Sequence, residues 1–437
     1  MANKTSILAS VACLGIIMFT AVKACRPDTD PGGCASKAEL DAAVNSYVNQ
    51  NNLNQLPPIG DWDVSAVTDM SYLFYNLADF NEDLSRWDVD RVTDMGYMFY
   101  GATSFNRGGM STWNVARVVD MRFMFRGATS FNGDVASWDV GGVANMGGMF
   151  QGATSFNRDL SGWNTASVTF IEYMFYGATS FNRNLSSWNT ANITSMAGMF
   201  RGATSFNGDV SPWDVGGVTN MGGMFQGATD FNRGLSVWDV ASVATMEHMF
   251  SGTTSFNRAL LRWNVARVIN MGSMFHSASN FNADLSAWDA GQVTNMARTF
   301  YDAASYNSDL TAWNVASVTN VFEMFEGASS FNQRCSPFYT GAEPCPVTSS
   351  PTSPTAVPTK TTAPTLSPTL SPTSAAPTTT PSLSPTAAPT RSPLAIPRAI
   401  GATCNTICVG VALGIVVVGV ALGVVVWTLR VSSSHAL

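Results

Sequence analysis

Apolar positions recur along this chain in fixed columns. Tryptophan returns at Trp62, Trp87, Trp113, Trp138, Trp163, Trp188, Trp213, Trp238, Trp263, Trp288 and Trp313, at intervals of 25 residues with a single interval of 26. The site five residues after each Trp is Val or Ile, and the site twelve after is Phe throughout, from Phe74 to Phe325. A Phe-Asn pair such as Phe80-Asn81 closes every unit, with Tyr306 replacing Phe once. A fixed period of this length is the signature of one supersecondary unit stacked many times, each copy burying its apolar side against the next.

The unit from Leu84 to Asn106 predicts its own local structure. Trp87 and Val89 alternate with Asp88, the period of a half-buried strand. Met95, Met98, Phe99 and Ala102 fall at i, i+3, i+4 and i+7, one face of a short helix. Thr93 or Asp94 would cap that helix and Gly101 would end it. The expectation is an α/β repeat solenoid: about eleven 25-residue strand–turn–short-helix coils, with strands stacked in a parallel sheet about 4.8 Å apart. The extra residue of the 26-residue interval lies among Arg107 to Thr112, as a glycine bulge at Gly108-Gly109.

Three polar or soft columns have structural readings. The Asn of each Phe-Asn pair predicts a buried amide ladder that bonds loop backbone from coil to coil. The residue after each Trp is Asp six times and Asn five times. That exchange asks for a hydrogen-bond acceptor and not a charge, so turn bonding is preferred to a calcium ladder. Methionines eight and eleven after Trp are read as flexible core filler.

The ends of the array read differently. Ser36-Lys37-Ala38-Glu39 matches a capping box, and Leu40, Ala43, Val44, Tyr47 and Val48 follow at helical spacing. They predict an amphipathic helix covering the first coil. Lys4, the apolar run Ile7 to Ala21 and small residues before Cys25 read as a secretory signal over 1–24, an uncleaved anchor being the other reading. Residues 25–61 form an N-terminal cap, 62–335 the repeats, and 336–346 a C-terminal cap. Cysteines bracket the array without entering it, so disulfides Cys25–Cys34 and Cys335–Cys345 are expected in an exported protein.

Residues 347–403 are almost only Pro, Thr, Ser and Ala, a composition that cannot form a core and reads as a disordered, O-glycosylated stalk. An uncharged apolar stretch follows, and 404–429 is read as one transmembrane helix. Residues 430–437 are then a short cytoplasmic tail. The expected topology is single-pass type I in the plasma membrane, repeats outside. Asn184 and Asn192 stand in N-x-Ser/Thr sequons and are candidate N-glycosylation sites.

Composition narrows the function. Only 12% of residues are charged and the net charge is −7, so no basic patch invites nucleic acid. Three histidines, no Cys/His cluster and no phosphate loop leave no candidate catalytic, cofactor or metal site, and an enzyme is not expected.

The sequence Trp-Asp-Val-Ser-Ala-Val-Thr-Asp-Met at Trp62, with Met-Phe-x-Gly-Ala and Phe-Asn-x-x-Leu-Ser-x-Trp in later units, resembles the BspA-like leucine-rich repeat surface proteins over roughly residues 59 to 335. The resemblance implies a leucine-rich-repeat-like fold, a place on the cell surface and, for some bacterial relatives, adhesion. The expected function is recognition or adhesion, presenting the array on its stalk to an extracellular protein or glycan. The alternative is a structural coat or spacer component with no discrete ligand. Columns that vary are where binding could live. Ten after Trp are Tyr72, Tyr97, Phe123 and Tyr173; thirteen after are Tyr75, Tyr100, Arg126, Tyr176 and Arg201. Tyr and Arg are the residue types that anchor interfaces. The bland reading of these sites is free drift at exposed helix positions.

Overall fold

A computed structural model describes Cys25, residues 33–49, 58–107 and 109–332, and Phe338. All belong to the first of two units into which the chain divides, Met1–Pro351. The expected signal, the Cys335–Cys345 pairing, the stalk, the membrane span and the tail lie outside the described residues. Among the described residues no helix is long and apolar enough to cross a membrane.

Among the described residues there is one α-helix, α1, Lys37–Asn49. Ser36 caps it, its Oγ accepting from the Glu39 amide at 3.3 Å. The Glu39 carboxylate reaches back to the amide of Ala35 at 2.8 Å, one residue further than the reciprocal bond of a standard capping box. Leu40, Ala43, Val44 and Tyr47 are buried, and the Tyr47 ring meets Trp62 of the first coil edge-on at 5.7 Å. Cys25 and Cys34 are joined by a disulfide beside this cap, and the Cys34 amide donates to the Asp63 carbonyl at 2.9 Å.

The repeats stack as parallel coils, but neither regular strands nor short helices build them. The expected strand at Trp87–Val89 is not there, and parallel pairing occurs as isolated bridges seven residues after Trp, as in Asp69 to Asp94 and Asp94 to Asp120. The expected helix at Met95–Ala102 is replaced by consecutive tight turns. In the coil of Trp138, alternate amides behave differently. Met149, Gln151 and Ala153 donate back three residues, while Met146, Gly148, Phe150 and Gly152 donate to Phe170, Glu172, Met174 and Tyr176 of the next coil.

Turns and inter-coil bonds therefore share the backbone donors between them, which a buried chain must do. The geometry needs left-handed residues at two places in each coil. Ten after Trp, φ is positive in all eleven coils, from Tyr72 (62°) through Gly148 (59°) to Glu323 (53°). Fourteen after Trp it is positive again, from Asn76 (57°) through Gly101 (69°) to Gly327 (73°). Asp94 Oδ1 accepts from the Gly96 amide at 2.7 Å, closing a local turn instead of capping a helix.

The core follows the apolar columns. Met95, Met98, Phe99, Val92 and Ala102, with their counterparts along the array, are buried almost without exception. Phenylalanines form two parallel stacks, for example Phe125 on Phe150 at 5.6 Å and Phe131 on Phe156 at 5.8 Å. The stacks are themselves in contact, Phe150 on Phe156 at 3.9 Å. Such offset pairs add to the burial term.

Each repeat Trp from Trp87 to Trp313 also donates its indole Nε1–H to a backbone carbonyl of the preceding coil, as Trp188 does to Leu160 at 2.9 Å. That carbonyl already accepts the amide of its own coil's Trp163, so both lone pairs are used. The 26-residue interval is absorbed by Gly109 at φ 99° and a short 3-10 turn, Met110–Thr112, which returns Met110 to the buried column.

Two polar ladders complete the stack. Asn81 Oδ1 accepts from the Asn106 amide, Asn106 from Asn132, Asn132 from Asn157, and so on to Asn332, at 2.8–3.2 Å. The ladder lies at the surface and not in the core as expected, its members being half-buried or exposed. The amide oxygen accepts from backbone one coil on, as Asn81 Oδ1 does from the Asn106 amide at 3.0 Å. In the column after Trp, Asp or Asn Oδ1 accepts from the amide two residues on, for example Asp63 from Ser65 at 3.0 Å and Asn114 from Ala116 at 3.3 Å. Asp and Asn serve equally because only the acceptor is used.

Candidate recognition face

The varied columns ten and thirteen after Trp lie on the turn ribbon, not on a helix, and the structure brings them together. Tyr72 is 50% exposed, Tyr75 39% and Tyr173 38%. Arg201 is exposed, and Tyr97, Tyr100, Phe123, Arg126 and Tyr176 are half-buried.

In the first three coils the side chains form two adjoining stacks. Tyr72 lies on Tyr97 at 4.5 Å with planes 7° apart, and Tyr97 on Phe123 at 5.1 Å. Tyr75 lies on Tyr100 at 4.7 Å, and the Arg126 guanidinium sits 5.2 Å from the Tyr100 centroid and 5.4 Å from that of Phe123. Further along, Arg201 covers Tyr176 at 5.5 Å, and Tyr173 spreads over Gly198 of the next coil. Phe123 ends the first group by spreading over Gly148. Asn184 and Asn192 are both exposed; the Asn192 side-chain NH2 donates to the Ala166 carbonyl at 2.8 Å.

The local backbone makes this arrangement costly. Tyr72, Tyr97, Phe123 and Tyr173 all occupy the left-handed region (φ 54–62°), where a bulky residue costs about 1 kcal/mol or more relative to glycine. Glycine fills the same column at Gly148, Gly198 and Gly223. The chain therefore keeps aromatic rings at sites where its own geometry favours none.

Acids flank the rings. Asp69, Asp94 and Asp120 stand three residues before Tyr72, Tyr97 and Phe123 and bridge coil to coil. Burial raises the Asp120 carboxyl above the usual range, against the Arg122 amide and guanidinium, which favour its charged form. Arg122 pairs with Asp120 at 3.2 Å and reaches to 6.0 Å from the Tyr97 centroid. Burial likewise raises the Tyr97 phenol, with Tyr72 adding to it. In the same column further on, His248 has φ 57° and burial lowers its pKa. His276 stacks on Tyr301 at 4.9 Å.

Away from this face, a shallow polar cavity of about 380 Å³ is lined by Ser65, Asp88, Asp90, Arg91 and Arg117. Among the described residues no group of three or more His, Cys, Asp or Glu side chains could hold a metal ion.

Sequence reasoning chose both columns by residue type, yet missed that the one ten after Trp is left-handed. The signal was present: glycine alternating with tyrosine at one position is the mark of a backbone that needs φ > 0. It also missed Arg122, nine after Trp, which joins the acid and aromatic ladders.

No curated protein matches the chain. Five overlapping segments, 42–163, 107–197, 153–261, 181–283 and 259–342, match one repeat family and together take in most of the chain. The coils are thus the repeats of a known group: the chain belongs to the family described as Mycoplasma protein of unknown function, DUF285.

Proposed function

We propose that this protein is a cell-surface recognition or adhesion protein. Its leucine-rich-repeat-like solenoid, of the kind the BspA-like surface proteins imply, is held away from a plasma membrane by the Thr/Pro stalk and C-terminal span, and presents the Tyr/Arg face to an extracellular protein or glycan. The observation that carries this reading is the retention of exposed Tyr72 and Tyr173 at left-handed positions where glycine would be the unstrained choice. Strain held at exposed aromatics is ordinarily a mark of function, and Tyr and Arg are the usual anchors of interfaces. The test is a screen of the full-length chain against surface proteins and glycans. Saturable binding that is lost when Tyr72, Tyr75, Tyr97, Tyr100, Tyr173 and Tyr176 are all replaced by Ser is the expected result. Binding that survives the replacement would discard this face.

A second reading is a structural coat or spacer component. It is favoured by the stacking itself, since Tyr97 and Tyr100 spend ring faces on their neighbours. Self-assembly of the purified chain with no ligand in the screen is its signature.

A further inference from the structure

The aromatic stack of the first three coils has two ends, and they differ. At its later end the guanidinium of Arg126 closes it, 5.2 Å from Tyr100 and 5.4 Å from Phe123. At its first end stand Tyr72 and Tyr75, with centroids 5.6 Å apart and planes inclined by 50°. Among the described residues neither a ring nor a cation covers their outer faces, and they are 50% and 39% exposed. Lys37 of α1 approaches this end but is committed: its ammonium donates to the Ser71 carbonyl and pairs with Asp41 at 3.2 Å.

Charge is concentrated at the same end. Residues 58–107 hold nine Asp and Glu against three Arg, a net of −6, while the whole chain carries −7. Asp69 stands three residues before Tyr72, and exposed Asp79 four residues after Tyr75. An electron-rich ring pair set in an acidic field attracts a cation twice over, by the quadrupole of the rings and by the summed charge. A neutral glycan would gain from the rings alone.

We propose that the open end at Tyr72 and Tyr75 is a docking site for a basic polypeptide segment, one Arg or Lys of which caps the stack as Arg126 caps it at the other end. The inference rests on the recognition reading above and names its partner class. Further basic residues of the same segment lie along the acidic coils, so the association weakens with salt.

The test uses a fluorescent hexa-arginine peptide titrated into the full-length chain at low ionic strength, with hexa-glutamate and neutral dextran alongside. The key variant is Tyr72→Gly with Tyr75→Gln. Those two residues already occupy the same columns at Gly148 and Gln151, so the backbone accepts them. The matched control is Tyr173→Gly with Tyr176→Gln, in a later coil.

The expected result is saturable binding of hexa-arginine alone, weakened at least tenfold by the first pair and less than twofold by the control. Failure of the parent to bind, equal loss in both pairs, or unchanged binding in the first pair would overturn the proposal. If hexa-arginine does not bind but the surface screen yields a ligand that depends on the six tyrosines, the basic-segment inference falls while the recognition reading stands. If no ligand depends on them, both fall.

Discussion

Tyr306 takes the place of a phenylalanine in the closing column: its ring stacks on Phe300 at 3.9 Å, and its hydroxyl is buried without a hydrogen-bond partner. The nearby Ser308 hydroxyl is engaged instead with the Leu285 amide and Asp284, both at 3.4 Å. Burial accordingly drives the phenol far above its ordinary pKa. Tyr306→Phe removes a desolvated hydroxyl and keeps the stack, so it should stabilise the array by about 1 kcal/mol. Thermal or urea unfolding checks this, and a destabilised variant would mean the hydroxyl has a partner.

The indole bonds give a second expectation. Trp188 loses, on replacement by Ala, its bond to Leu160 and its stack on Trp163 at 6.3 Å. A cost of about 3–5 kcal/mol follows from the cavity alone; the Leu160 carbonyl keeps its bond from the Trp163 amide. Trp188→Phe keeps much of the apolar volume and isolates the bond, at about 1 kcal/mol. Denaturant titration of the two variants separates packing from bonding.

Glycines that are alike in being left-handed should not be equivalent. At Gly152 (φ 69°) an added Cβ meets Gly127 no closer than 3.7 Å, so Gly152→Ala carries only conformational strain, about 1 kcal/mol. At Gly148 (φ 59°) the Cβ would enter the ring of Phe123. Gly148→Ala should therefore cost more than Gly152→Ala, and a Phe123→Ala background should remove much of the difference. Unfolding midpoints of the four variants decide it.

Four aspartates make the array acid-sensitive. Asp83, Asp159, Asp209 and Asp284 accept from the backbone amide, then the hydroxyl, of the serine two residues on, which holds their carboxyls below the usual range. A depressed folded-state pKa contributes stability that is whole above the ordinary carboxylate value of about 3.9. That stability is lost as pH falls through the lower folded value. Replacing all four by Asn, which keeps the acceptor, should flatten the dependence of stability on pH in that acidic range and change it little at pH 7. An unchanged acid limb would remove these residues from the account.

The columns of the core were legible because repetition exposes them: Val92, Met95, Met98 and Phe99 vary little in type from coil to coil and are buried. The local structure was misread for a physical reason. Apolar residues at i, i+3, i+4 and i+7 fit one face of a helix, but they equally fit consecutive tight turns whose spare amides are taken by the next coil. The choice depends on donors between coils, which spacing within one unit does not record. Tyr97 and Gly101 held the missing information, because their columns need positive φ and a helix does not. The Asn81 ladder was read correctly in its bonding and wrongly in its burial, since hydrogen-bond capacity is visible in a residue type and depth is not. Trp recurring where Phe or Leu would pack was a further sign, now explained by the indole bond of Trp87 to Ile59 at 2.8 Å.

Two stretches of nearly identical sequence, 131–158 and 206–233, carry Gly148 with Gln151 and Gly223 with Gln226 in the two varied columns. Both coils are therefore blank on the face where other coils display rings. Because a coil touches only its neighbours, copying this block lengthens the array without multiplying its aromatic groups. The chain can in this way separate its decorated coils by whole coil steps, and distance between contact points becomes a quantity it inherits independently of the contacts themselves.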